Sequence, residues 1–160
     1  MENIQVAIMM GSKTDLETLE ETGKILKEFG VPYEMRVLSA HRTPKDVVEY
    51  VEKFPARGGK VFICGAGGSA ALAGVVAAHT TCPVIGVPID STSLQGMDAL
   101  LSTVQMPPGV PVGAVAVGKM GAKNAALLAI RIMALNDKKL EKKLEEFREK
   151  NRQDILKIQI

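Results

Sequence analysis

Tyr33-Glu34-Met35-Arg36-Val37-Leu38-Ser39-Ala40-His41-Arg42-Thr43-Pro44 reads as a strand that runs through a short polar loop into a helix. Tyr33 to Leu38 is the strand. Thr43 followed by Pro44 reads as a helix cap with proline at the first helical position, where its missing N–H costs nothing. In an open α/β sheet, ligands bind in the crevice beyond the carboxyl ends of the strands. His41 and Arg42 stand at such an end. A histidine can move a proton near neutral pH, and an arginine can hold a phosphate. The chain has only 2 histidines. A reaction that needs one acid/base beside a bound nucleotide is the first expectation.

Outward from this unit, strand and helix alternate. Val6 to Met10 is a short apolar run ending in Gly11, as expected of a buried parallel strand. A helix is expected from about Asp15 to Phe29, opened by a Thr14/Glu17 capping box and closed by Gly30. Its apolar face is Leu16, Leu19, Leu26 and Phe29. The helix from Pro44 carries Val47, Val48, Val51 and Phe54. Further strands are expected at Val61 to Cys64, Val84 to Val87 and Val112 to Val117. Helices are expected at about Ser69 to Ala78 and Gln95 to Val104. Repeated strand-helix units with short loops predict an α/β fold, a three-layer, doubly wound parallel sheet with right-handed crossovers.

The last third adds two helices. Asn124 to Leu135 is apolar almost all round, which predicts a buried helix whose far side meets another subunit of a homo-oligomer. Asp137 to about Gln153 reads as an extra C-terminal amphipathic helix with Leu140, Leu144 and Phe147 inward. Its many lysines and glutamates read as a solvated face.

At 160 residues the chain is expected to form one domain spanning 1–160. The formal net charge is only +2, so no basic field draws in nucleic acid or an anionic membrane. No run is long enough to span a bilayer, and Met1 to Met10 shows no signal-peptide pattern. Cys64 and Cys82 have no metal or redox spacing, and Cys64 reads as an apolar filler in a strand. A reduced, cytoplasmic protein is expected.

Three loops could carry chemistry. Gly11-Ser12-Lys13-Thr14-Asp15 offers two hydroxyls and a helix N-terminus suited to a phosphate. Asp15 would repel a phosphate and is better suited to ribose hydroxyls. Equally, Ser12, Thr14 and Asp15 could be plain helix caps. Ser39-Ala40-His41-Arg42 is the second loop. Gly65-Ala66-Gly67-Gly68-Ser69 is the third. A dinucleotide fingerprint would need glycine where Ala70 stands, so NAD is disfavoured. A glycine-rich turn still offers N–H groups to a carboxylate and lets a flat ring approach the backbone. His79 falls near a helix end, where a histidine commonly caps carbonyls. No metal constellation and no G-x-S-x-G nucleophile elbow is present.

Met10-Gly11-Ser12-Lys13-Thr14-Asp15, Ser39 to Pro44, Gly65 to Gly68, Pro83 to Pro88, Gln105-Met106-Pro107 and Asn124 to Ala129 occur in one order. In that order the chain resembles the N5-carboxyaminoimidazole ribonucleotide mutases of purine biosynthesis, over nearly its whole length. The resemblance implies a flavodoxin-like sandwich, an octamer with sites at subunit contacts, and a small ribonucleotide substrate. It implies no metal and no cofactor. It assigns proton transfer to His41, phosphate binding to Arg42, and ribose-phosphate binding to Ser12 and Asp15. Thr14, Ser39 and Ala40 fall in the same substrate-binding loops. Gly65, Ala66, Gly67 and Gly68 would hold a migrating carboxyl group, and the Gln105-Met106-Pro107 loop would help close a site. The chain departs from the family pattern at Ala71, where a histidine is usual, at Ala73, where a proline is usual, and at Thr14, where a serine is usual. A related class that carboxylates aminoimidazole ribonucleotide directly carries lysine after the histidine and an Arg-Ser-Asn type of loop. Arg42 and Gly67-Gly68 set this chain with the mutases. A non-catalytic nucleotide-binding homologue and a related carboxylase acting on another heterocyclic ribonucleotide are the remaining alternatives.

Overall fold

The strand-loop-helix unit expected at residues 33–44 is present, and the rest of the chain repeats it. The computed structural model describes residues 3–159; Met1, Glu2 and Ile160 of the expected 1–160 domain lie outside the described residues. The strands are β1 (Val6–Met10), β2 (Tyr33–Val37), β3 (Val61–Gly67), β4 (Val84–Ile89) and β5 (Gly113–Ala114). They form one sheet in the order β2-β1-β3-β4-β5, and every neighbouring pair is parallel. This is the flavodoxin-like order, whose direction reverses between β1 and β3.

The helices are α1 (Leu16–Phe29), α2 (Pro44–Lys53), α3 (Leu72–Ala78), α4 (Met97–Val104), α5 (Gly118–Ala134) and α6 (Lys138–Leu156). Side chains alternate across the sheet. Val6, Ile8 and Met10 of β1 join a core with α1, α5 and α6. Ala7 and Met9 join a second core with α2 and α3. Every β1 residue is buried, so this run carries no polar alternation. Removing one such side chain from water contributes about 1.5–3 kcal/mol.

Small residues explain how α1 and α5 approach. Ala122, Ala125, Ala126 and Ala129 are fully buried. The Thr22 hydroxyl donates to the Ala122 carbonyl at 2.8 Å. The apolar character of α5 is thus used inside the chain, under α1, the sheet and α6. Leu127, Leu128 and Ile132 are half-buried there, and Leu135 is exposed. The C-terminal helix is pinned in turn. Lys143 Nζ donates to the Phe29 carbonyl at 2.7 Å, capping α1, and Phe147 packs edge-on to Phe29 at 5.7 Å. No described helix is long and apolar enough to cross a membrane.

Several expected boundaries move. The third strand continues to Gly67, because Gly65, Ala66 and Gly67 pair with Val87, Pro88 and Ile89 of β4. The helix after it starts at Leu72, not Ser69. The fifth strand shrinks to Gly113–Ala114, while α5 begins at Gly118, ahead of the expected Asn124. The capping box at the start of α1 is Ser12/Asp15, not Thr14/Glu17. A short 3₁₀ turn (Lys13–Asp15) precedes the helix, and extended Ser12 is the N-cap of that turn. Glu17 pairs instead with Lys119 of α5.

Candidate active site

Four loops leave the carboxyl ends of β1, β2, β3 and β4 and enclose a crevice of about 280 Å³ at the point where the strand order reverses. Size does not single it out, since a hollow of about 560 Å³ lies beside His79, Thr80 and Thr81. Its chemistry does. Among the described residues, this hollow alone gathers a histidine, an arginine, a buried aspartate and several hydroxyls.

The first wall is built by the capping box. The Ser12 N–H donates to Asp15 Oδ2 at 3.1 Å. The Thr14 N–H and hydroxyl both donate to Ser12 Oγ, at 3.3 and 2.9 Å. Asp15 is only 4% exposed. Burial pushes its carboxyl above the ordinary range, while the Ser12 N–H and the Arg42 guanidinium pull it down. The cap reading of these three residues and the ligand reading are therefore compatible. They brace each other and still line the crevice.

The second wall is the 39–43 loop. Its entry is fixed by the Leu38 N–H, which donates to the Met10 carbonyl at 2.9 Å. Thr43 precedes α2 but does not cap it with its side chain. Its hydroxyl instead accepts from the Ser39 N–H at 2.9 Å and reaches the Ser39 carbonyl at 3.2 Å, closing the loop on itself. Ser39 Oγ accepts from the Arg42 N–H and Nε–H at 3.2 and 3.3 Å. Arg42 Nη2 donates to the Gly11 carbonyl at 2.5 Å, so the two walls are tied together. His41 is exposed at the crevice, and its imidazole has no hydrogen-bond partner among the described residues.

The third wall is made of small residues, Ala66, Gly67, Ser69 and Ala71, with apolar Leu72. Gly65 and Gly68, both expected at the site, do not line it. Gly65 is buried in β3, where a Cβ would come within 2.6 Å of Leu19 Cδ1, so its role is to admit α1. Gly68 turns the chain with φ of +62°. Ser102 of α4 holds this wall from behind, accepting from the Ala70 N–H at 3.0 Å and donating to the Asp98 carbonyl at 2.7 Å.

Gly11 and Ser69, from the loops expected to carry chemistry, and Ala71, the departure from the family pattern, also line the crevice; Leu72 and Ser91 line it without any signal in the sequence analysis. Ser91 is the one from a separate loop, after β4. No motif marks it, and only the pairing of β3 with β4 could have found it. His79 stands apart. Its backbone N–H caps α3 by donating to the Val76 carbonyl at 3.0 Å, and its Nδ1 lies 3.8 Å from Glu52. Burial pushes the Cys64 thiol far up, as expected of an inert filler.

The arrangement places a proton carrier, a guanidinium, hydroxyls and a carboxylate around one hollow next to free backbone. The family model described as AIR carboxylase matches residues 5–154. The N5-carboxyaminoimidazole ribonucleotide mutase of Saccharolobus solfataricus is 54% identical, over 98% of this chain and 98% of that protein. That of Bacillus subtilis is 54% identical over 94% of this chain and 93% of its own length. That of Escherichia coli K12 is 47% identical over 95% and 90%. The crystal structure of Treponema denticola PurE superposes with a TM-score of 0.86 at 36% identity, covering 95% of this chain and 94% of that one.

Proposed function

The chain belongs to the AIR carboxylase family, and from that premise we propose that it is an N5-carboxyaminoimidazole ribonucleotide mutase of purine biosynthesis. It converts N5-carboxyaminoimidazole ribonucleotide to 4-carboxy-5-aminoimidazole ribonucleotide, with residues 1–160 acting as one domain. The observation that carries the reading is His41, unengaged, beside Arg42 at the mouth of a crevice walled by Ser12, Asp15 and Gly67.

Arg42, Ser12 and Thr14 take the phosphate end, and Asp15 takes the ribose hydroxyls. Ser39 and the Ala40 backbone hold the loop that presents His41. The β3 wall takes the carboxyl group. His41, as imidazolium, gives its proton to the exocyclic nitrogen as the N–C bond of the carbamate breaks and CO2 is released. The crevice keeps that CO2 against the ring, where proximity replaces a bimolecular encounter. The ring carbon attacks it, forming the C–C bond. Neutral His41 then removes the proton from that carbon and returns to its starting state. One proton enters and one leaves, so no net acid or base is consumed.

An octamer and a cytoplasmic setting belong to the same proposal. Exposed Leu94, Met97, Leu101 and Val104 on and beside α4 supply apolar surface suited to a neighbouring subunit.

The test is to supply the purified protein with N5-carboxyaminoimidazole ribonucleotide, without ATP or added metal, and follow the C-carboxylated isomer. Conversion that is lost in His41→Asn supports the reading. Turnover only of aminoimidazole ribonucleotide with bicarbonate would replace it with direct carboxylation. Silence in both, from folded protein, would end it.

A further inference from the structure

We propose that Ser91 is a substrate contact, its hydroxyl donating a hydrogen bond to the carboxyl group that migrates. This rests on the mutase reading and names a residue for the end of the crevice that has no charged side chain.

The walls after β1 and β2 hold the aspartate, the arginine and the histidine. The walls after β3 and β4 hold only small or apolar residues and two serines, Ser69 and Ser91. A carboxylate seated there must be satisfied by N–H and O–H donors, because a buried charge without them is costly. Ser91 is built to be one. Gly67 pairs with Ile89 across β3 and β4, which brings the residue two beyond Ile89 back over the end of β3. A Cβ on Gly67 would overlap Ser91 Oγ and come within 3.1 Å of the Ile89 carbonyl. Glycine at 67 therefore makes the space that the Ser91 hydroxyl fills. This contact is the case for Ser91 over Ser69.

The rest of the β4 loop is fixed. The Thr92 hydroxyl donates to Asp98 Oδ2 at 2.6 Å and accepts from the Leu94 N–H at 3.2 Å. The Thr92 bond holds the Asp98 carboxyl below its usual range. Gln95 takes a φ of +51°, uncommon outside glycine, in the turn that carries the chain into α4. The loop invests its hydrogen bonds one residue after Ser91. The Ser91 hydroxyl itself has no partner among the described residues, whereas Ser12, Thr14, Asp15 and Ser39 all do.

The experiment compares two ligands that differ by the carboxyl group: 4-carboxy-5-aminoimidazole ribonucleotide and aminoimidazole ribonucleotide. Binding of each is measured by calorimetry to the intact protein and to Ser91→Ala. The variant is expected to bind the carboxylated ligand about ten-fold more weakly, the scale of one hydrogen bond to a charged group. It should bind the ligand without the carboxyl group as the parent does. Equal weakening of both ligands would make Ser91 a loop-shaping residue and overturn the proposal. So would no change in either. If the parent protein bound neither ribonucleotide, the mutase reading would fall and the proposal with it.

Discussion

The two halves of the crevice are built in opposite ways. The half after β1 and β2 is made of side chains that hold one another: Ser12 with Asp15, Ser39 with Arg42 and Thr43, and Arg42 with the Gly11 carbonyl. The half after β3 and β4 is made by leaving side chains out. Gly67 gives way to Ser91, and the wall is held from outside by Ser102. The first half fixes charge in space. The second fixes a shape and exposes backbone. A reaction that moves one carboxyl group between two atoms of the same ligand needs both: a grip on the part that stays still and an uncharged surface for the part that moves.

Substitutions separate these roles. His41→Asn should cost the most, about 10²- to 10⁴-fold in kcat, with an unchanged melting temperature. Steady-state rates and a thermal melt check it, and retention of more than a tenth of the activity would remove His41 from the chemistry. Gly67→Ala should come next. Its methyl meets Ser91 and the Ile89 carbonyl, and overpacking of this kind costs about 1–3 kcal/mol. A loss of mutase rate larger than that of Ser91→Ala would confirm that the space beside Gly67 is functional. A variant as active as the parent would reduce the second half of the crevice to a mere gap.

Ser39→Ala should have a smaller effect and of a different kind. It removes the acceptor of two Arg42 N–H groups and leaves the guanidinium free to sample other positions. KM should rise about five-fold, on the scale of one net hydrogen bond, with kcat changed less. A fall in kcat alone would show that this wall positions His41 and not the phosphate end.

Asp15→Asn should, besides any loss of ribose binding, produce the subtlest change of the series in the pH dependence of stability. Burial raises the carboxyl pKa of the folded chain above 3.8, so the folded state holds that proton to higher pH than the unfolded chain does. The stability that Asp15 contributes is fully present below pH 3.8 and is lost as pH rises through its folded value. The variant cannot titrate there. Its melting temperature, relative to the parent, should climb as pH is raised from below that value to neutrality. A difference that falls with pH would mean that Arg42 and the Ser12 N–H outweigh burial.

The same contrast explains what could be read before the fold was known. His41 and Arg42 were legible because two polar residues between a strand and a proline-capped helix have one natural place in an α/β sheet. Ser12 and Asp15 were legible as a group, although the capping register was not. Two overlapping Ser/Thr-x-x-acid patterns compete at residues 12–15 and 14–17, and only the end of β1 at Met10 decides between them. The glycine stretch was legible as a wall but not residue by residue. Small residues look like a loop whether they turn, as Gly68 does, or pair in a strand against α1, as Gly65 does. Ser91 was not legible at all. Its place depends on the register of β3 against β4, which local pattern does not contain.

The bond from Arg42 to the Gly11 carbonyl has a thermodynamic consequence. It occupies one of the five N–H donors of the guanidinium and the Ser39 bond occupies a second, while Nη1 has no partner among the described residues. The side chain is therefore ordered before any ligand arrives, with donors left over. Under the proposed function, a phosphate would meet a guanidinium already aimed, and the entropy of fixing a long flexible side chain would not count against its binding.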